Sequence, residues 1–359
     1  MPDVLTTQDE LDVFLDLLKQ LVHEPSVVGG EVPFFRVLQR ELEALDVKVT
    51  WFEGLLVACG SNPGRGMLSA HIDRNGLICT GPDEFQYAAF VARNRGDLTG
   101  DSISEQTFFT IADRFQGERL HAYDPWSGAY LGKGEISHAY LCERRKNMIF
   151  QVQDLAHLSP GTPVAFWDKL RIMDEGARIS GQLDNVLSVA MLLFLFQCGY
   201  EGTAFFTARE EAGKSWRFLM EWFLRTDTSS QELIVLDTSP YADREAAETQ
   251  QLVLRRKDAG AGFSEPMVNQ LVELSKEIGA TYSFKDEYIE AQNAIRVRDG
   301  LPEASLGRTE LGRIIEASQG AITGATLQIP TTGYHTPNET AAMDSVRAAI
   351  DLLRTGFVD

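Results

Sequence analysis

The chain opens with two segments whose hydrophobic residues recur at helical spacing. Thr7 and Glu10 form a capping-box pattern. From Leu11 to Leu21, leucine and phenylalanine then recur at intervals of three or four residues, which predicts a helix. A second amphipathic segment spans about 33–45. Short apolar runs that predict strands follow at 48–52, 55–59 and 67–70, and the last of them leads directly into His71.

The pattern changes between about residues 77 and 167. Short β-like runs such as QTFFTIA, AYLCE and MIFQVQ alternate with Gly, Pro and Asp turn residues, and no long amphipathic helix is predicted among them. This pattern is typical of a small β-rich domain inserted into a larger fold. We expect the inserted domain to occupy residues 78–173.

After this stretch, helical and strand patterns alternate to the end of the chain. Helices are predicted at 184–197, 216–224, 267–278, 311–316 and 341–354, and strands at 204–207, 233–236, 282–284 and 325–329. Such alternation favours an α/β fold with a mostly parallel sheet flanked by helices. Residues 1–77 and 174–359 would together form this main domain.

The overall charge excludes several classes of partner. The 359 residues include 33 basic and 52 acidic side chains, a formal net charge of −19, which disfavours nucleic acid and anionic membrane surfaces. No apolar run reaches the ~18 residues that span a bilayer. The four cysteines form no C-x-x-C pair, and no signal-peptide pattern is evident, so we expect free thiols and a cytoplasmic protein.

Histidine or carboxylate side chains occur at the ends of five predicted elements. Ligands in open α/β sheets bind beyond the carboxyl ends of the strands. Each of these residues alone has an ordinary explanation, such as a helix cap or a solvated loop, but together they predict a metal site. The set comprises His71 with Asp73, Asp184, the pair Glu210 and Glu211, Asp237, and His335.

These residue types suit particular chemistry. Two histidines with several carboxylates favour divalent zinc, cobalt or manganese. If two ions lie about 3.5–4 Å apart, one carboxylate must bridge them, and Asp184 at a helix start can present both oxygens. Asp73 can fix the His71 imidazole. Of the two adjacent glutamates, one can bind metal while the other stays free as a general base.

The ordered set of motifs resembles the dinuclear metallo-aminopeptidases of the tetrahedral aminopeptidase family, which includes the glutamyl and deblocking aminopeptidases formerly called cellulase M. Order and approximate spacing match over nearly the whole chain. The motifs stand here as His71-Ile72-Asp73, Asp184-Asn185, Thr207-Ala208-Arg209-Glu210-Glu211, Asp237 and His335-Thr336-Pro337-Asn338-Glu339, with LVHEPSVVGGE near the N-terminus.

The resemblance implies a role for each matching residue. Glu210 would be the general base, with Asp73 supporting catalysis. The metal ligands would be His71, Asp184, Glu211, Asp237 and His335, with Asp184 bridging two divalent ions (Zn, Co or Mn) per subunit. His71 would share an ion with Asp237, and His335 would share the other with Glu211. The fold would be zinc-peptidase-like, and the inserted β domain would drive assembly of a homo-oligomer, from a dimer up to a dodecamer.

The chain also departs from the family pattern at three places. The first histidine motif continues as Asp73-Arg74-Asn75-Gly76 instead of Asp-Glu-x-Gly, and Val186 replaces a frequent arginine after Asn185. The segment 309–312 lies where the family usually has an aspartate-containing loop near the substrate. These departures bear on substrate preference more than on metal binding.

The predicted activity is metal-assisted hydrolysis that removes N-terminal residues from short peptides. Three alternatives remain open: a related di-metal deacylase or carboxypeptidase, a non-catalytic oligomeric binding protein of the same fold, and an endoglucanase. The endoglucanase needs only two suitably spaced carboxylates and would leave both histidines without a role.

Overall fold

A computed structural model describes residues 5–93, 104–144, 147–167 and 169–358. The helices in these ranges are α1 Gln8–His23, α2 Val32–Glu43, α3 Ala88–Ala92, α4 Glu105–Phe115, α5 Val186–Gln197, α6 Ser215–Thr226, α7 Arg244–Glu248, α8 Glu265–Glu277, α9 Lys285–Arg298, α10 Glu310–Ala317 and α11 Met343–Phe357. None of them combines the length and the apolar character that a membrane crossing requires.

The strands of the same ranges form two sheets. They are β1 Lys48–Phe52, β2 Leu55–Cys59, β3 Met67–His71, β4 Leu77–Gly81, β5 Glu84–Tyr87, β6 Arg119–Tyr123, β7 Tyr130–Cys142, β8 Asn147–Val152, β9 Pro163–Phe166, β10 Arg171–Met173, β11 Arg178–Gly181, β12 Thr203–Thr207, β13 Ser230–Pro240, β14 Leu252–Leu254, β15 Tyr282–Phe284, β16 Ile322–Thr332 and β17 Glu339–Ala342.

The larger sheet has the order β1-β2-β12-β3-β13-β16-β17-β11-β10, with β14 and β15 joined to it through β16. Its four central strands, β12, β3, β13 and β16, are parallel, and the strands that border them on either side pair antiparallel. The α/β class with a mostly parallel central sheet flanked by helices is therefore confirmed. Parallel order matters for function because it places four carboxyl-terminal strand ends along one edge.

The main core lies between this sheet and its helices. Helix α5 is apolar on all sides and is buried from Val186 to Phe196, as expected for a helix enclosed by other elements. Helix α1 packs on it, with the Phe14 and Phe194 rings 5.8 Å apart in an edge-to-face arrangement. Burial of α5 fixes the position of the Asp184-Asn185 segment that precedes it.

The smaller sheet is a closed barrel of strands in the order β4-β5-β8-β7-β6-β9. Helix α4 covers part of its interior, where the Phe115 ring stacks on Phe166 at 4.7 Å and contacts Phe150 at 5.4 Å. The chain enters the barrel at Gly76, where a Cβ atom would lie 2.6 Å from Val27 and 2.7 Å from the Val164 carbonyl oxygen. Only glycine fits this close approach.

Two local predictions are wrong. The run QTFFTIA is rich in β-forming residues, yet it lies in α4, where Ser104 caps the helix by accepting a hydrogen bond from the Thr107 amide. Phe108, Ile111 and Phe115 then face the barrel core at helical spacing, so tertiary packing overrides local propensity.

The second error is an omission, because no helix was predicted at 285–298. Helix α9 occupies this segment, and only its first two residues, Lys285 and Asp286, are buried. No residue of α9 beyond these two is buried, so the helix has no buried apolar stripe and the periodicity that reveals other helices is missing.

Candidate metal centre

The carboxyl-terminal edge of the central strands brings the predicted site residues together. His71 is the last residue of β3 and pairs in register with Thr207 at the end of β12. On the other side of β3, Ala70 pairs with Leu236, which places Asp237 beside His71. Glu210 and Glu211 lie in the loop after β12, and His335 lies in the loop between β16 and β17.

Five of these side chains form two groups that could hold metal ions. His71, Asp184 and Asp237 make one group, and Asp184, Glu211 and His335 make the other, with the ligand atoms of each group within 4.8 Å of one another. Asp184 belongs to both. Its Oδ1 lies 3.2 Å from His71 Nε2, and its Oδ2 lies 3.6 Å from His335 Nε2.

The remaining distances complete each group. His71 Nε2 lies 3.4 Å from Asp237 Oδ1, and His335 Nε2 lies 3.1 Å from Glu211 Oε1. Both imidazoles therefore turn their Nε2 atoms toward carboxylates of the cluster. The grouping joins the same residues that the family resemblance pairs, His71 with Asp237 and His335 with Glu211.

The donor set fits divalent cations. Three carboxylates and two imidazoles, mostly buried, converge on a small volume, and buried carboxylates are costly unless charge is compensated. Asp184 Oδ1 is buried and accepts no hydrogen bond from any described residue. A cation between the groups would satisfy this oxygen and offset the negative charge.

The negative charge of the clustered carboxylates raises the pKa values of both histidines. Burial disfavours the charged form of His335, but the Glu211 and Asp184 carboxylates outweigh burial and raise its pKa to about 10. At His71, burial also disfavours the charged form, but the nearby carboxylates of Asp184, Asp237 and Asp73 outweigh it and raise the pKa well above its ordinary value. The site attracts positive charge strongly, so metal ions would compete with protons for it.

Asp73 contacts site residues that follow two neighbouring strands, His71 at the end of β3 and the glutamate loop after β12. The side chain is fully buried, and its two oxygens accept hydrogen bonds from the backbone amides of Glu210 at 2.8 Å and Glu211 at 3.0 Å. Its Oδ1 also lies 3.7 Å from His71 Nδ1, on the side of the ring opposite the cluster. His71 Nδ1 lies closer, at 3.2 Å, to the Asp73 backbone carbonyl oxygen, so Asp73 positions the first histidine mainly through its carbonyl and the glutamate loop through its carboxylate.

Glu339 has a similar position on the other side of the cluster, and the sequence analysis gave it no role. Its carboxylate accepts hydrogen bonds from the backbone amides of Asp184 and His335, both at 2.7 Å, and the side chain is buried. The signal was present in the sequence, because Glu339 ends the motif that begins at His335. Its function is to hold two ligand-bearing segments at a fixed separation.

Replacement of Glu339 by glutamine should weaken metal binding. A glutamine oxygen can accept one of the two amide hydrogens, while its NH₂ group would face the other donor. Loss of such a supporting contact typically lowers metal affinity by about 10–100-fold. Competition with a chelator of known affinity measures the change.

Glu118→Gln is the matched control, because Glu118 is a half-buried glutamate that accepts a 3.3 Å hydrogen bond from Asn338 beside the same loop. Its metal affinity should equal that of the parent protein. Equal affinity in Glu339→Gln would contradict the supporting role.

The sequence analysis also missed a contact to Glu211 and a second contact that supports it. Asn75 Nδ2 donates a 2.7 Å hydrogen bond to Glu211 Oε1, and Asn75 Oδ1 accepts one from the Tyr87 hydroxyl. Tyr87 is the last residue of β5, so the barrel helps to position a residue of the metal cluster. No sequence pattern could show this contact, because it depends on how the barrel packs against the main sheet.

The departures from the family pattern lie away from the cluster. Arg74 is buried and donates hydrogen bonds to the Val22 carbonyl, the Glu24 carbonyl and the Ser26 hydroxyl, so it secures the segment after α1. Val186 begins α5 and is fully buried in the core. Neither side chain replaces a donor of the metal cluster.

The segment 309–312 also differs from what the resemblance implies. Glu310 is buried beneath the site, where its oxygens accept hydrogen bonds from the Ser69 and Thr207 hydroxyls, each at 2.7 Å. Burial raises the pKa of its carboxyl group. Glu310 is thus part of the support below the strand ends.

Comparison with known protein structures agrees with the fold. The chain is similar in structure to a TET aminopeptidase from the marine sediment archaeon Thaumarchaeota archaeon SCGC AB-539-E09, with a TM-score of 0.70, 15% identity, and coverage of 96% of this chain and 95% of that one. An aminopeptidase from Desulfurococcus kamchatkensis gives a TM-score of 0.68 and 16% identity, covering 96% of this chain and 94% of that one.

A third structure, the TET1 peptidase of Pyrococcus horikoshii, gives a TM-score of 0.65 at 17% identity and covers 95% of this chain and 98% of that one. That peptidase can assemble into a tetrahedron or a large octahedral shell. Similarity at these identities establishes the fold. No curated protein sequence matches the chain.

The sequence model of the M42 glutamyl aminopeptidase family matches residues 150–352. This range contains Asp184, Glu210, Glu211, Asp237 and His335, and it confirms the resemblance drawn from the motifs. Because the match covers more than half of the residues, the chain belongs to the M42 glutamyl aminopeptidase family of metal-dependent peptidases.

Proposed function

We propose that the protein is a di-metal aminopeptidase that removes N-terminal residues from short peptides, with Glu210 as its general base. The observation that carries the proposal is the pair of ligand groups that share Asp184. One ion would be held by His71, Asp184 and Asp237, and the other by Asp184, Glu211 and His335. Divalent ions bound there would polarise the scissile carbonyl and lower the pKa of water.

The chain's own residues supply the proton transfers. Glu210 belongs to neither ligand group, although it is adjacent to Glu211 and lines the same cavities. Its backbone amide is held by Asp73, which fixes where the side chain begins. Glu210 would accept the proton of the attacking water and return it to the leaving amine.

The identity of the ions follows from the same donor set. Imidazole and carboxylate ligands suit zinc, cobalt and manganese, and no described cysteine belongs to the groups. We therefore propose two ions per subunit, drawn from these three metals.

A test compares one short peptide in its free and N-acetylated forms. The protein is loaded with zinc, cobalt or manganese, and a chelated sample serves as the control. We expect metal-dependent cleavage of the free form alone, because an aminopeptidase requires the free amine. Cleavage of the acetylated form would instead indicate a deacylase or a carboxypeptidase, and binding without cleavage would indicate the non-catalytic alternative.

We also propose that the chain forms a homo-oligomer and that the barrel, in the inserted segment 78–173, supplies contacts for assembly. Trp126, Tyr130 and Trp167 are each more than half exposed, and the Tyr130 and Trp167 rings lie 5.8 Å apart. Large exposed aromatic side chains of this kind are enriched at protein interfaces. The assembly of the Pyrococcus horikoshii relative supports the proposal, and the mass of the full chain in solution gives the subunit number.

A further inference from the structure

Two cavities meet at the candidate metal centre. They share Glu210, Glu211, Arg308, Tyr334 and His335. The inner cavity, of about 280 Å³, is enclosed by strand ends and the loop 305–309. The outer cleft, of about 540 Å³, is larger and more open, and it runs toward α3 and α4.

The shapes of the two cavities indicate which part of a peptide substrate each would hold. An aminopeptidase needs an enclosed space for one N-terminal residue and an open path for the rest of the peptide. The inner cavity meets the first requirement and the outer cleft meets the second. The leaving portion of the peptide would therefore lie in the outer cleft.

The outer cleft is basic although the protein is strongly acidic. Four arginines line it, Arg93, Arg114, Arg308 and Arg313, and the only carboxylates among its described lining residues are Glu210 and Glu211 at the metal end. Bound metal ions would compensate those two. With a net charge of −19, a local concentration of guanidinium groups does not follow from composition.

Arg313 lacks a carboxylate partner among the described residues. Its guanidinium packs on Gly213, where a Cβ atom would lie only 3.2 Å from Arg313 Cζ, so the glycine leaves room for it beside the loop that carries Glu210. The Arg313 Nε atom is buried and donates no hydrogen bond to any described group. This side chain therefore retains charge and donors for a ligand.

Arg114 reaches the cleft from the barrel side. Its Nη1 lies 3.4 Å from both the Tyr87 hydroxyl and His335 Nδ1, and its guanidinium lies 5.6 Å from the centre of the Tyr334 ring. None of these contacts is with a carboxylate, so they position the guanidinium without neutralising its charge. Arg308 differs, because it forms a 3.2 Å ion pair with Glu316.

We propose that Arg313 and Arg114 bind a carboxylate on the leaving portion of the peptide and so determine specificity on that side of the scissile bond. The inference rests on the proposed function. Guanidinium groups match carboxylate geometry with two parallel hydrogen bonds. The carboxylate would be either the C-terminal carboxylate of a very short peptide or an acidic side chain at the second position.

Two pairs of dipeptides with one constant N-terminal residue separate these sources. The first pair has alanine in second position with a C-terminal carboxylate or amide, and the second pair has glutamate or glutamine in second position with a C-terminal amide. We expect kcat/KM to be roughly tenfold higher for the carboxylate member of at least one pair. A hydrogen bond to a charged group typically changes a binding constant by about this factor. The ratio should shrink as ionic strength rises.

Arg313→Gln and Arg114→Gln should each reduce this ratio severalfold. Arg225→Gln is the matched control, because Arg225 is an exposed arginine of α6 that pairs with Glu221 and lines neither cavity. Its ratio should remain that of the parent protein. A ratio near one in the parent for both pairs, or an unchanged ratio in both cleft variants, would overturn the inference.

A binding measurement keeps this inference separate from the proposed activity. Calorimetry on the metal-loaded protein, with the same dipeptides in the N-acetylated form that an aminopeptidase does not cleave, should show the same preference for the carboxylate member and its loss in the variants. If no peptide is cleaved but this preference is present, the activity proposal fails and the cleft assignment stands. If peptides are cleaved without any carboxylate preference, the cleft assignment fails and the activity proposal stands.

Discussion

Glu210→Gln should retain its metal ions and lose nearly all peptidase activity. A general base typically contributes about 10²–10⁴-fold to the rate. Because the same group moves a proton twice here, we expect kcat to fall by at least about 10²-fold. Metal content should not change, because Glu210 belongs to neither ligand group. Steady-state kinetics and elemental analysis of the same sample measure both quantities.

The neighbouring residue provides the sharpest comparison. Glu211 Oε1 lies 3.1 Å from His335 Nε2 and receives a hydrogen bond from Asn75, so Glu211→Gln should lose metal as well as activity. Glu221→Gln, an exposed glutamate on α6, controls for the loss of one carboxylate. Metal loss in Glu210→Gln would show that Glu210 is a ligand and would leave the base unassigned.

The sequence could predict the cluster because its members depend on a simple rule of sheet architecture. Parallel strands end at one edge, so histidines and carboxylates that follow separate strands must converge. His71 and Asp237 illustrate this, since the register of β3 and β13 alone places them side by side. Asp184 does not follow one of these strands, so its place in the cluster also required the prediction that a buried helix begins beside it.

The support of the cluster could not be predicted in the same way. Glu339 acts through backbone amides 155 and 4 residues away, and Asn75 reaches Glu211 across 136 residues. Such contacts depend on the packing of loops and of two sheets, and leave little trace in periodicity. The conformation of α4 could not be predicted for the same reason. Its packing against the barrel core, and not its local propensity, decides that it is a helix.

Asp184→Asn should weaken metal binding at both positions at once. The two Asp184 oxygens face different histidines, at 3.2 Å for His71 and 3.6 Å for His335, and Asp184 alone belongs to both ligand groups. An asparagine keeps the size but removes the charge and one acceptor. Since loss of a mere supporting contact lowers affinity by about 10–100-fold, loss of the bridge should cost on the order of 100-fold or more at each site.

Two single-site variants make this expectation specific. His71→Ala removes a donor from one group only and His335→Ala removes one from the other, so each should reduce the affinity of one ion more than that of its neighbour. Elemental analysis and chelator competition would then give a stoichiometry near one for the histidine variants at metal concentrations where Asp184→Asn holds neither ion. If Asp184→Asn instead kept one ion at parental affinity, Asp184 would serve a single metal, and the shared-carboxylate centre would have to be replaced by two independent sites.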